Sequence, residues 1–312
     1  MGSATEALLG ARGAVRRRDA CEWGLSLKTF DGLVSRGLLV QVVRGVFLRP
    51  AEVDDVAARA GAVALTLPAG AAVCRRTAAW LWGIDARGPS ERDQVLDVEC
   101  CVPVGSAVVR SAGVRGFVTD LLPEDVDLTH GVPCTTTDRT AVDLARWLAP
   151  HMGLACLDAM AGRGLVDPDH LADLVERWRG ARYVDRARRL ISLCEPLTES
   201  YGESWLRLRV VDAGFPRPEV QVWIFDENGV ALYRLDMGWP DRRIGLEYDG
   251  EEFHSSTEDR RHDEERRDDL ARRFSWDVLG VGRGEVLGRS LALELGVGEM
   301  LGMQPKIARR TW

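Results

Sequence analysis

Apolar positions fall into three successive patterns along the chain. Between residues 5 and 48 short apolar clusters are broken by glycine and predict helices over Thr5–Leu9, Arg17–Trp23 and Leu27–Arg36. Gly24 stops the second helix, Ser26 stands where an N-cap belongs, and Gly37 closes the third. Leu38–Val43 and Val46–Leu48 then read as short strands around a tight Arg44-Gly45 turn. The middle region, residues 51–195, predicts helices over Val73–Gly83 and Arg139–Leu148, strands over Val95–Val102 and Gly116–Thr119, a helix from the Asp167-Pro168 cap to about Trp178, and another over Arg182–Leu193.

At Glu195-Pro196 the pattern changes to a helix over Ser200–Val211 and strands over Val220–Phe225, Ala231–Gly238 and Ile244–Asp249, followed by a charged helix. Asn228-Gly229 and Asp241-Arg242 form the turns. Alternation sets a register in which Leu235 faces Tyr248 and Met237 faces Leu246, all four on one surface. The other surface then gathers Asp236 opposite Glu247, with Asp249 two residues along.

A length of 312 residues suits two or three units. The three patterns place them at 1–50, 51–195 and 196–312, an α+β multidomain chain. With 46% apolar and 29% charged residues it belongs to the globular class. The longest weakly polar stretch, Gly61–Cys74, is interrupted by Pro68 and is too short to span a bilayer, so no membrane partner is expected. Arg16, Arg17 and Arg18 stand where a secretory signal needs an apolar run, which points to the cytoplasm. The 7 cysteines include no C-x-x-C pair, against a disulfide framework or structural zinc.

The net charge of −7 argues against bulk attraction to nucleic acid, yet residues 1–50 carry an excess of basic over acidic groups. Lysine occurs only at Lys28 and Lys306, so cationic contacts are guanidinium contacts. Three helices and a hairpin with this charge outline a winged helix-turn-helix. The Gly24-Leu25-Ser26 turn and the stretch "GLLVQVVRGVF" from Gly37 resemble the amino-terminal DNA-binding domain of AbiEi-type antitoxins. In such a domain the third helix enters the major groove, making Lys28, Thr29, Arg36 and the turn residue Arg44 the candidate DNA contacts. A small helical domain with solvated arginines, or one that docks a protein, is the plainer alternative. The "AAWLWG" and "RTAVDLAR" stretches accompany the same resemblance and read as structural, with Trp80, Trp82, Trp147 and Trp178 as core or interface residues rather than base-stacking platforms.

Facing carboxylates destabilise a hairpin and resist ionisation unless a cation joins them. Mg²⁺ or Mn²⁺ is therefore the expected cofactor, with Asp236, Glu247 and Asp249 as ligands. An acid, ten residues, an acid, one residue, then a polar group is the pattern of PD-(D/E)XK nucleases. The stretch "RLDMGWPDRRIGLEYDGEEFH" from Arg234 resembles, more closely, uncharacterised bacterial domains related to the very-short-patch-repair (Vsr) endonucleases. The resemblance runs from residue 196 to about 290. It implies a carboxy-terminal restriction-endonuclease-like α/β domain, after the winged helix-turn-helix and the mixed middle region. It also implies catalytic roles for Glu203, Asp236, Glu247, Asp249 and His254, with Arg266 or Arg267 near a phosphate.

Asp249 departs from that pattern, because it stands where many such nucleases carry a lysine. Ser200-x-x-Glu203 is also a capping box, and the charged run 258–273 also reads as a solvated helix held by internal ion pairs. The sequence thus points to a metal-dependent DNA endonuclease aimed by a winged helix, possible as a homodimer. Its alternative is a non-catalytic DNA-binding regulator or antitoxin with a degenerate nuclease fold. A glycosidase-like carboxylate pair leaves the amino-terminal pattern unexplained.

Overall fold

The computed structural model describes residues 3–92, 94–250, 257–307 and 312, and for 257–265 the backbone alone. The chain is a multidomain α+β protein that divides into two compact units, Met1–Leu144 and Ala145–Trp312.

The amino-terminal unit begins with α1 (Ser3–Gly10), β1 (Val15–Arg16), a 3-10 helix (Arg17–Trp23), α2 (Leu27–Ser35), β2 (Val40–Val43) and β3 (Val46–Leu48). Ser26 caps α2 by accepting the Thr29 amide at 3.1 Å. The two-residue strand β1, hidden in the sequence by its arginines, pairs with β3 at Val15↔Phe47 and completes a sheet of order β1-β3-β2. β3 is buried on both faces, which is why it reads as an unbroken apolar run. Phe47 packs on Leu8, Phe30 and Leu33, while Val46 and Leu48 join Ala60 and Val63 of α3 (Val56–Ala64).

Next come β4 (Ala72–Val73), α4 (Arg75–Leu81), β5 (Val98–Pro103), β6 (Arg110–Ser111), β7 (Val114–Thr119), β8 (Val126–Thr129) and β9 (Val132–Thr135). They make a six-stranded sheet of order β6-β7-β5-β4-β9-β8. The helix expected from Val73 starts at Arg75, because Val73 pairs with Cys100 and Cys134 in the sheet. α5 (Thr137–Trp147) crosses from one unit to the other. Its Arg139, fully buried, meets Asp143 at 3.0 Å and Asp125 at 2.9 Å, giving the "RTAVDLAR" stretch an internal structural role.

The carboxy-terminal unit continues with α6 (Pro150–Gly162), α7 (Pro168–Leu174), α8 (Val184–Ser192) and α9 (Tyr201–Asp212). β10 (Glu219–Phe225), β11 (Ala231–Trp239), β12 (Ile244–Asp249), α10 (Thr257–Phe274), β13 (Asp277–Gly282), α11 (Arg283–Leu287) and α12 (Ala292–Leu301) follow. The sheet runs β10-β11-β12-β13, antiparallel except for the parallel β12–β13 pair.

Met237 pairs with Leu246 as alternation requires, and both pack with Trp205, Leu206 and Tyr248. Leu235 does not join them. It lies on the opposite face with Val222, Leu270 and Trp276, and a Cβ at Gly245 would meet its Cδ1 at 2.5 Å. Gln221, with φ +53, leaves extended geometry on the neighbouring strand between the pairs Val220↔Met237 and Val222↔Leu235, where the register does not shift. Among the described residues no helix is long and apolar enough to cross a membrane.

Candidate functional site

Two clusters carry charged chemistry, one in each unit. In the amino-terminal unit, Arg16, Arg17, Arg18 and Arg44 line an open groove of about 710 Å³ with Leu27 and Leu65. Their placement follows from the local fold: β1 and the 3-10 helix bring the arginine run beside the β2–β3 turn, where Gly45 takes φ +76. Arg17 holds Asp31 of α2 through two hydrogen bonds of 2.7 Å, and this keeps the exposed Asp31 carboxyl below its ordinary range. Arg16 pairs with Asp19, and Arg18 approaches the same carboxylate only to 3.6 Å while staying 72% exposed. Arg44 is exposed and has no ion-pair partner among the described residues. Three guanidiniums thus share two carboxylates, and the fourth, Arg44, faces neither.

Of the DNA contacts expected from the sequence, Arg44 lines this groove. Lys28, Thr29 and Arg36 are exposed on or just after α2. The Thr29 hydroxyl lies 2.8 Å from the Ser26 hydroxyl, and Arg36 donates to the Gly32 carbonyl at 3.0 Å, so each also serves its own helix end. Sequence reasoning counted Arg16–Arg18 in the charge balance but missed them as groove residues. The signal was the undetected strand that carries them.

In the carboxy-terminal unit α9 supplies Glu203, β11 Asp236, and β12 Glu247 and Asp249. Glu203 is buried and accepts the Glu199 amide at 3.1 Å and the Gln221 amide nitrogen at 3.2 Å. Its own N–H donates to Ser200 Oγ at 3.2 Å, so the capping role is real. Asp236 accepts the Tyr248 amide at 2.8 Å. Glu247 receives Arg266 Nη1 at 2.6 Å, and Asp249 receives Arg267 Nη2 at 3.2 Å. Arg266 also donates to the Arg234 carbonyl at 2.9 Å. Two glycines make room: a Cβ at Gly202 would collide with the Tyr248 ring, and one at Gly280 would strike Arg267 Nη2.

Burial is the main force raising the carboxyls of Glu203, Asp236 and Glu247 above their ordinary ranges. Repulsion from Asp236 adds to this at Glu203 and Glu247, and Asp249 adds to it at Asp236. Arg266 opposes the rise at Glu247. The fold therefore brings four expected acids and Arg266 into one electrostatic neighbourhood; His254 lies outside the described residues.

Among the described residues no three His, Cys, Asp or Glu side chains group to hold an ion. The oxygens of Glu247 and Asp249 already accept from guanidiniums. As it stands, guanidiniums occupy oxygens of Glu247 and Asp249 that Mg²⁺ or Mn²⁺, an ion usually held by one or two carboxylates with several waters, would share. Asp249, opposite a guanidinium, also cannot act as the lysine it replaces in the nuclease pattern.

Comparison with known proteins bears on the antitoxin resemblance. Residues 71–193 match the family described as "AbiEi antitoxin C-terminal domain". The matched segment lies beyond the amino-terminal residues on which the sequence resemblance rested, and it contains the "AAWLWG" and "RTAVDLAR" stretches. Two relatives from strains of Mycobacterium tuberculosis, the uncharacterized proteins MT2308 and Rv2248, are each 29% identical over 259 residues. The aligned part spans 82% of this chain and 90% of each relative. The crystal structure of the RV2827C protein from Mycobacterium tuberculosis aligns with a TM-score of 0.40 and 14% identity, over 62% of this chain and 83% of that one. None of these matches lends support to the Vsr-like resemblance.

Proposed function

We propose that this protein is a DNA-binding regulator of antitoxin type. In this reading the amino-terminal winged helix docks on duplex DNA, and the carboxy-terminal unit keeps a restriction-endonuclease-like acidic cluster without cutting. The observation that carries the proposal is the arginine groove, where four guanidiniums gather beside the β2–β3 turn against two carboxylates that only three of them reach. Such an excess of fixed cations is what an approaching phosphate backbone neutralises. The match over residues 71–193 supports the antitoxin class. The arginines on Glu247 and Asp249 support a non-catalytic role. We further infer a cytoplasmic protein that binds as a homodimer, because paired winged helices read repeated half-sites.

The test is binding at fixed salt to duplex DNA from upstream of its own coding sequence, beside an unrelated duplex of equal length. A preference of about 10³ or more is the regulator's signature. Equal, salt-insensitive affinity for both would remove the proposal.

A second reading, a metal-dependent phosphodiester hydrolase, is favoured by the convergence of Glu203, Asp236, Glu247 and Asp249. The order of elements, an acid-bearing helix before the strands and a parallel strand after α10, also favours it. Labelled single-stranded, duplex and mismatched DNA incubated with Mg²⁺ or Mn²⁺ separates the two readings. Cutting that disappears in both Asp236→Ala and Glu247→Ala would establish the hydrolase; intact DNA with retained duplex binding supports the regulator.

A further inference from the structure

A separate arginine-rich surface lies in the carboxy-terminal unit, away from the acidic cluster in sequence, at the start of α8. Trp147 and Tyr183 meet edge to face with ring centroids 5.4 Å apart, and both are exposed, at 36% and 39%. Tyr183 holds φ +64, which a bulky residue adopts only when its surroundings impose it. The surroundings are guanidiniums. Arg182 and Arg186 lie 4.6 and 4.5 Å from the Tyr183 ring, and Arg146 lies 5.5 Å from Trp147 and 5.9 Å from Trp178. Arg186 donates to the Arg146 carbonyl, and Arg146 donates to the Arg182 carbonyl at 3.2 Å, so cations and rings form one linked platform.

Glu176 and Asp185 are both engaged by Arg188, at 2.6 and 2.7 Å. Neither Arg182 nor Arg186 has a carboxylate partner among the described residues. Arg182 gives one N–H to the Tyr183 hydroxyl at 2.5 Å and Arg186 one to the Arg146 carbonyl; held on the ring in this way, a guanidinium loses little freedom when its remaining N–H groups meet an oxyanion. Exposed aromatic surface beside such edges meets both parts of a nucleotide, the base by stacking and the phosphate by forked hydrogen bonds. An acidic protein would use only the cations.

We propose that this platform binds a nucleic-acid strand through its phosphodiester backbone and one stacked base, as a contact surface additional to the arginine groove.

The experiment uses the full chain, fluorescein-labelled oligo(dT), oligo(U) and a random-sequence duplex, with affinity measured across a salt series. In Arg182→Gln/Arg186→Gln the dependence of log affinity on log salt for the single strands falls by about 1.4, two phosphate contacts at about 0.7 each. Trp147→Ala weakens single-strand binding about tenfold or more, the loss of one stacked base. Arg186 is half-buried, so Arg182→Gln alone, at an exposed position, guards against misfolding. Unchanged affinity and slope in a normally melting Arg182→Gln, together with unchanged binding in Trp147→Ala, overturns the proposal. If Arg18→Ala/Arg44→Ala meanwhile loses duplex binding, the regulator reading stands and only the platform fails. Capture of polyglutamate in preference to every oligonucleotide overturns it in favour of an acidic protein partner.

Discussion

Around the amino-terminal groove Arg18 comes no closer than 3.6 Å to a carboxylate and Arg44 faces none among the described residues, whereas Arg266 and Arg267 on α10 lie 2.6 and 3.2 Å from Glu247 and Asp249. Arginine is abundant in both places, and its chemical meaning is opposite. At Arg18 and Arg44 an outside anion displaces no close carboxylate, and the Asp31 that Arg17 holds is itself exposed. On α10 the Glu247 carboxylate is buried, so its pair with Arg266 is part of the folded structure, while Asp249 is half-buried. Counting charges along the sequence cannot separate these uses; the burial of the partner carboxylate does.

The sharpest way to break the comparison is Arg266→Ala. It leaves the buried Glu247 carboxylate without its closest cation and is expected to destabilise the protein by about 2–3 kcal/mol, below the 3–5 of a fully buried pair because Arg266 keeps partial exposure. Urea unfolding measures this, and adding Glu247→Gln should restore most of it. Failure of that rescue would mean that Arg266 acts elsewhere. Arg18→Ala/Arg44→Ala should leave urea stability unchanged while reducing the salt dependence of duplex binding by about 1.8, two phosphates at about 0.9 each. A change in stability instead would place these arginines with the α10 pair.

Acid titration sharpens the contrast further. Glu203, Asp236 and Glu247 are raised in the folded state, so the folded protein holds protons more tightly than the unfolded chain. Their contribution therefore improves as pH falls from neutrality through the raised values and levels off below the unfolded carboxylate range near 4. Asp236→Asn should flatten that slope in a series of melting temperatures. An Asp236→Asn slope no flatter than that of the wild type would contradict the raised Asp236 carboxyl. The smallest expected effect is that of Ser26→Ala, about 1 kcal/mol from the lost cap on the Thr29 amide, measured by thermal unfolding.

Where one residue's chemistry decided the local structure, the sequence was readable. Ser26, Ser200 and Asp167 cap the helices expected of them, and Met237 pairs with Leu246 as alternation predicts. Strand parity put Asp236 with Glu247, whereas Glu203 entered only through the family resemblance, its capping position being the competing reading. What failed was whatever departed from a local period or depended on a partner distant in sequence. Leu235 packs on the face away from Met237, against the expected alternation, and β1 was invisible because two residues carry no period. The arginine of α10 that answers each acid depends on tertiary approach across 18 or 19 positions, which no local pattern encodes.

The open space at Gly280 has a consequence for how this chain can vary. The Arg267 guanidinium fills the place where a side chain would stand on β13, and Asp249 Oδ2 would lie 2.6 Å from any Cβ there. The fourth strand has lent its side-chain volume to a residue on a neighbouring helix. A Gly280→Ala substitution should displace the Arg267 guanidinium and weaken its pair with Asp249, measured as a lower melting temperature, and should cost less once residue 267 is shortened. The two positions are therefore coupled although 12 residues lie between them in the chain.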